Sequence, residues 1–216
     1  MKVLAELRDF FDNNEWPGNF DSSQAAVSII LLKDQSDEVG LVFIKRQERA
    51  DDPWSGHIAF PGGRYEDSDI SLLQTAIRET SEEINLNLVS ENLLGSMNPY
   101  SPRMKVNINV HPFIFVCYET IRDVNRHEVE RVMVVPLRDF FDASRFGQQE
   151  FHFKGISAQL PVFKISDSDE VWGVTYVLLL DFLQRIKQTH FARRFLEEHK
   201  LDSCNLDQIW KVYPYR

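Results

Sequence analysis

The sequence is short of the features that mark several large protein classes. Cysteine occurs only at Cys117 and Cys204, too few for a disulfide framework or a cysteine zinc site, so a reducing cytoplasm is the expected compartment. Long apolar runs are missing. The longest, at 171–180, is interrupted and far below the roughly 20 residues that cross a bilayer. The first eleven residues interleave Glu6, Arg8 and Asp9 with their apolar positions, so neither a secretory leader nor a membrane partner is expected. Positive charge is in deficit: 24 Lys and Arg face 33 Asp and Glu, a formal net charge of −9. That argues against a nucleic-acid polymer as partner, while a local basic pocket for small phosphates remains compatible with an acidic chain. Repeats, low-complexity tracts and linkers are absent too. What is present is 216 residues, 43% hydrophobic and 26% charged, which suits one elaborated globular domain over 1–216. Oligomeric state is not legible from this pattern.

Apolar positions Val3, Leu4, Leu7, Phe10 and Phe11 fall at helical spacing and predict a short leading helix within an N-terminal extension over 1–20. Strand-like runs at 25–32 and 41–44, separated by a polar turn, predict a hairpin. A third short strand is expected at 56–61, a strongly periodic helix at 70–84, and further strands at 107–118, 129–135 and 160–165. Helices at 171–187 and 191–199 make up a C-terminal helical segment over 171–216. The alternation of strands and helices predicts a mixed α/β domain.

The helix at 70–84 carries the chemistry. With Leu73 at zero on a wheel of roughly 100° per residue, Ile77, Thr80 and Ile84 fall within roughly 40° and predict the core-facing stripe. Glu79, Glu82 and Glu83 occupy a separate arc roughly 100° wide. Like charges at these spacings cost a helix about 0.2–0.5 kcal/mol per pair, a cost that a divalent cation removes. Oxygen-only ligands point to Mg²⁺ or Mn²⁺. Arg78 stands four residues before Glu82 and is expected to pair with it. Taken alone, this is also the pattern of a solvated helix face.

Upstream, Phe60-Pro61-Gly62-Gly63-Arg64 ends a strand and opens a loop. The two glycines allow positive φ and close approach, and Arg64 brings a cation near the carboxylates. A phosphate-binding turn and a plain hairpin turn both fit. Together with the helix, the segment resembles the signature of the Nudix family: G, five residues, E, seven residues, then R-E-U-x-E-E-x-G-U, with U apolar. Gly63, Arg78-Glu79, Glu82-Glu83 and Leu86 match it. Asp69 stands in place of the first Glu, eight residues follow it instead of seven, Thr80 takes an apolar position and Asn85 replaces Gly. Asn is the mildest non-glycine choice for a left-handed helix end. The Asp and the extra residue look like the coenzyme A pyrophosphatase branch. So do Ile44-Lys45-Arg46, the stretch 56–63, Glu128-Val129, Val135-Pro136-Leu137 and Val171-Trp172-Gly173 with Thr175. An arginine of that branch, expected between Arg46 and Gly56, is absent; the stretch reads Asp51-Asp52-Pro53-Trp54, with Arg49 as a substitute.

The resemblance implies a Nudix-type α/β/α sandwich with a mixed sheet and a pyrophosphohydrolase acting on a small, nucleotide-like diphosphate. Glu79, Glu82 and Glu83 would bind the metal. Asp69 is read as a helix cap, and Glu128 as a further metal ligand or the base that activates water. Lys45, Arg46, Arg49 and Arg64, with Gly62 and Gly63, would hold phosphates, and Trp54 would either stack on adenine or close a loop. His57, His111, Trp172 and Tyr176 are read as structural. Coenzyme A or an acyl-coenzyme A heads the substrates. ADP-ribose, a dinucleotide or a nucleoside triphosphate are alternatives, and a non-catalytic nucleotide-binding module is the rival of a different class.

Overall fold

The computed structural model describes residues 6–11, 20–33, 38–49, 54–102, 107–121, 123–153 and 156–201. Its contacts divide the chain into two compact units, Met1–Val135 and Pro136–Arg216.

The first unit is built on a mixed seven-stranded sheet. Strands β1 (Gln24–Lys33) and β2 (Val39–Arg46) form the predicted antiparallel hairpin. On the other side of β1 lies β6 (Asn109–Cys117), parallel to it from Gln24↔Asn109 to Leu32↔Cys117, with β5 (Leu93–Ser96) antiparallel beyond. β3 (Ile58–Ala59) and β7 (Val129–Pro136) both pair with β2. β1 is buried on both faces, as a strand with a parallel neighbour should be. Ala26, Ile30 and Leu32 belong to the cluster that receives the helix α1 (Leu72–Ile84), while Ile29 and Leu31 are equally inaccessible on the reverse face. Each of the Ile and Leu side chains among them contributes about 1.5–3 kcal/mol on burial.

The Gly62-Gly63 pair is not a turn. Gly62–Arg64 is a strand, β4, which pairs antiparallel with the first half of β1 through Ala25↔Arg64, Ala26↔Gly63 and Val27↔Gly62. Of the strand expected at 56–61 only β3 pairs regularly; Pro61 has no N–H to give, and its carbonyl accepts from Ser28 N–H at 2.8 Å.

α1 starts at Ser71, whose hydroxyl accepts from Gln74 N–H, and ends at Asn85 in the left-handed conformation (φ 49°). The Asn85 reading holds, and the cap reading of Asp69 does not. Both Asp69 oxygens are already taken by Arg78, Thr75 and the Glu66 N–H, so Ser71 caps instead. The buried face also differs from the predicted stripe. Leu72, Thr75, Ala76, Thr80, Glu83 and Ile84 are buried, whereas Leu73 and Ile77 are only partly so. The buried face is therefore turned by roughly 60° toward the carboxylates. A buried polar link accounts for the turn: Ser28 Oγ donates to the Ala76 carbonyl at 3.1 Å and Thr80 Oγ1 lies 2.8 Å from Ser28 Oγ. Thr80 thus fits where an apolar residue was expected because Ser28, in mid-strand, answers it.

The second unit holds an antiparallel three-stranded sheet, β8 (Phe146–Phe153), β9 (Ile156–Lys164) and β10 (Glu170–Val171), with helices α2 (Gly173–Lys187) and α3 (His190–His199). Phe163 stacks on Phe140 at 4.7 Å and meets Phe146 edge-on, while Tyr176 is fully buried. Trp172 packs on Phe151 at 4.4 Å, a structural place as expected. Of the expected N-terminal extension over 1–20, residues 6–11 and 20 are described, and within the predicted leading helix Glu6–Phe10 forms a 3₁₀ turn with Leu7 buried. Residues 202–216 of the expected C-terminal segment lie outside the described residues. Among the described residues no helix is long and apolar enough to cross a membrane.

Candidate active site

Glu83 and Glu79, one turn apart on α1, meet the glycine strand β4. Glu83 is 1% exposed, and its Oε2 accepts the Gly62 N–H at 2.9 Å. Arg46, the last residue of β2, brings a guanidinium nitrogen to 3.7 Å from the other Glu83 oxygen. The Glu79 carboxylate lies against Gly63 so closely that a Cβ there would overlap it. A side chain at 63 would have to push that carboxylate aside.

Burial is the leading cause that raises both acids. Glu79 is pushed up to about 7, although Arg78 pulls it down, because Glu82 and Glu128 add to the burial. Glu83 is pushed up to about 8; the Gly62 N–H and Arg46 offset only part of its burial, and Glu79 and Glu128 push the same way.

Arg78 organises the rest. Its Nε and Nη2 grip Asp69 in a two-pronged pair at 2.9 and 3.0 Å, its Nη1 donates to Glu79 at 3.0 Å and Glu82 at 3.1 Å, and Nη2 also reaches the Arg64 carbonyl. The Arg78–Glu82 pair is as predicted. Burial alone would raise Asp69, but hydrogen bonds from Arg78, Glu66 N–H and Thr75 outweigh it and hold the carboxyl below its ordinary range. The three glutamates do not share one open arc: Glu83 is inside, Glu79 largely enclosed, and Glu82, 52% exposed, leans outward onto Arg78. Among the described residues no three acidic, His or Cys side chains converge as a ready ligand set.

Glu128 stands exposed in the turn before β7, near enough that its charge raises both Glu79 and Glu83. The other proposed substrate contacts are more dispersed. Lys45 pairs with Glu130 at 3.6 Å, and Arg64 donates to the Ser22 carbonyl. Arg49 is exposed, its backbone N–H held by Ser55 Oγ at 2.7 Å. Trp54 is partly buried in a turn whose carbonyl accepts the His57 N–H. Residues 51–53 lie outside the described residues. His111 is 6% exposed and bonded to Gln24, and burial lowers it to about 4, so it stays neutral and structural. Ser28, Thr75, Gln47 and Asn125 were not anticipated. Only Ser28 left a trace in the sequence, a hydroxyl in the middle of an apolar strand.

The NUDIX domain model matches residues 22–156. The chain belongs to the Nudix hydrolase family. The Nudix hydrolase NudL of Yersinia enterocolitica is 24% identical over 171 residues, 79% of this chain and 86% of that protein. The mitochondrial coenzyme A diphosphatase of Mus musculus is 31% identical over 144 residues, 64% of this chain and 66% of its own length. Its Homo sapiens counterpart is 29% identical over 143 residues, 64% and 59%. The chain thus spans less than two thirds of those two mammalian relatives. Among solved structures, a MutT/nudix family protein from Enterococcus faecalis superposes with a TM-score of 0.55 at 14% identity, covering 80% of this chain and 65% of that one. The Nudix α/β/α sandwich with its mixed sheet is the fold of this chain.

Proposed function

We propose that this Nudix protein is a divalent-metal-dependent pyrophosphohydrolase that cuts the diphosphate of a nucleoside diphosphate derivative, with coenzyme A or an acyl-coenzyme A as substrate. The observation that carries the reading is the pair of buried carboxylates, Glu79 and Glu83, pressed against the glycine strand with too little positive charge to compensate them. A folded protein keeps such a costly arrangement where a cation or a reaction uses it. The oxygen-only donors fit Mg²⁺ or Mn²⁺, which Glu79, Glu82 and Glu83 would hold. When bound, the ion supplies charge neutralisation at the phosphates and a more acidic water.

The chain's own groups divide the remaining work. Arg78 fixes the rotamers of Glu79 and Glu82, and Gly62 and Gly63 leave room for the Glu83 and Glu79 carboxylates against the strand. Arg46 faces the site beside Glu83 and would share a phosphate charge. Glu128 takes the proton from the attacking water as its oxygen bonds to one phosphorus and the bridging oxygen leaves with the other. Coenzyme A is favoured over ADP-ribose by the identity to the mammalian coenzyme A diphosphatases; cleavage would give 4′-phosphopantetheine and adenosine 3′,5′-bisphosphate. A nucleotide sensor without turnover has no use for crowded buried carboxylates. The two cysteines, of which Cys117 is buried and free, suit a reducing compartment such as the cytoplasm.

The test compares kcat/KM for coenzyme A, dephospho-coenzyme A and ADP-ribose with Mg²⁺ or Mn²⁺. Coenzyme A should lead. A clear lead for ADP-ribose would replace the substrate and leave the reaction, and turnover of none of the three with either metal would remove the reaction as well.

A further inference from the structure

Among the acids assigned to the metal or to water, Glu128 alone lies outside α1. It sits in a turn where Arg126, His127 and Glu128 are all exposed, and Val129, fully buried, is the next residue anchored in the core. Segments of this kind are ordinarily mobile unless hydrogen bonds hold them. Here the bonds come from two residues outside the signature. Asn125 uses its N–H, its carbonyl and its side-chain oxygen. Its N–H donates to the Glu83 carbonyl at 2.9 Å, its carbonyl accepts from Glu128 N–H at 3.0 Å and Val129 N–H at 2.8 Å, and its Oδ1 accepts from His127 N–H at 3.1 Å. Gln47 grips the far side: its N–H donates to the Glu128 carbonyl at 2.8 Å and its Nε2 to the Arg126 carbonyl at 3.1 Å.

The ends of these clamps are informative. Asn125 ties the turn to the backbone of Glu83, and Gln47 directly follows Arg46, whose guanidinium faces the Glu83 carboxylate. The turn is thereby referenced to the same helix turn and strand end that set Glu83. We propose that Asn125 and Gln47 are positioning residues that hold the Glu128 carboxylate in register with Glu79 and Glu83. The inference rests on the reading of Glu128 as a group that acts in hydrolysis. The charge of Glu128 reaching both buried acids agrees with this placement. A misplacement of about 1 Å in such a group costs up to about a hundredfold in rate, whereas a clamp that merely stabilised the fold would leave kcat of the folded protein intact.

The experiment uses the full chain with Mg²⁺ and two probes, coenzyme A and ADP-ribose. Gln47→Met, which keeps the length and loses the amide donor, Asn125→Ala and Asn125→Asp are each made in the native and the Glu128→Gln background, with melting curves to confirm folding at the assay temperature. Each change removes only a side-chain bond, Gln47 Nε2 to the Arg126 carbonyl or His127 N–H to Asn125 Oδ1, and leaves the main-chain bonds in place, so Gln47→Met and Asn125→Ala should lower kcat by roughly three- to tenfold with KM changed by less than about twofold. Asn125→Asp should recover most of the loss, since its carboxylate still accepts the His127 N–H. In the Glu128→Gln background the same changes should cost less than about twofold, because there is no longer a carboxylate to place. Losses that multiply with Glu128→Gln, losses confined to KM, or normal kcat in Gln47→Met and Asn125→Ala beside an impaired Glu128→Gln would each overturn the positioning role alone. Full kcat in Glu128→Gln, or a native chain that turns over neither probe, would instead overturn the reading beneath it.

Discussion

Replacing Glu83 by Gln should make the metal-free protein more stable at alkaline pH while abolishing turnover. The carboxyl is 1% exposed, and its pKa rises from 4.5 to about 8 on folding. Between those values the folded state holds a proton that the unfolded chain has released. The stabilising contribution is thus complete below about pH 4.5 and is lost as pH rises through about 8. At roughly 1.4 kcal/mol per pH unit, ionising Glu83 in the folded state costs on the order of 4 kcal/mol, part of it shared with Glu79. The Gln amide has no charge to desolvate, and its oxygen can still accept the Gly62 N–H. Melting curves in EDTA should therefore show the variant near the native protein at about pH 4.5 and above it at pH 9. For a chain of this size the gain at pH 9 should be about 10 °C. Saturating Mg²⁺ should reverse the order at pH 9, because only the native carboxylate gains from the ion. A difference between the two proteins that does not change with pH in EDTA would refute the assignment of Glu83 as a buried, reluctantly charged group.

The two glycines should separate by phenotype. Gly62, at φ +150° and packed on the Ala26 and Val27 backbone, should lose several kcal/mol on change to Ala, whereas Gly63→Ala displaces only the flexible end of Glu79, so a near-normal melting temperature with kcat reduced at least about tenfold is expected. Asp69→Asn leaves Arg78 without its two-pronged partner and should cost about 3 kcal/mol together with a fall in kcat; an unchanged melting temperature would show that Arg78 is held by Glu79 and Glu82 alone. Mg²⁺ binding followed by calorimetry should tighten from pH 6 to pH 8, since the ion displaces protons from Glu79 and Glu83; pH-independent affinity would place the ion elsewhere.

The hairpin β1–β2, β6, β7, β9 and all three helices were legible because their apolar periodicity is strong. β8 was not, since Gln148, Gln149 and Glu150 are exposed and carry no alternation. Arg78–Glu82 and the left-handed Asn85 followed from spacing and residue type. The exact face of α1 did not, because the wheel weighed Leu73 and Ile77 as core and could not see that two glycines opposite would leave room for Glu79 and Glu83 beneath the helix. Asp69 misled for a related reason. Its position before the helix suits a cap, but a guanidinium nine residues later competes for the same oxygens more strongly. Gln47 and Asn125 act mainly through main-chain groups of the turn they hold, and such roles leave no mark in residue type.

The parallel pairing of β1 with β6 bears on how the site comes into being. Gln24 meets Asn109, 85 positions later, so β1, on which β4 and α1 rest, acquires its second neighbour only after a long loop closes, at an entropic cost that local contacts cannot offset early. Glu128 follows later still in the chain. A nascent or truncated segment containing the whole signature would hold every acidic residue of α1 and yet lack the sheet that buries two of them. In such a segment Glu79 and Glu83 stay in water, and activity should appear only once β6 has paired with β1.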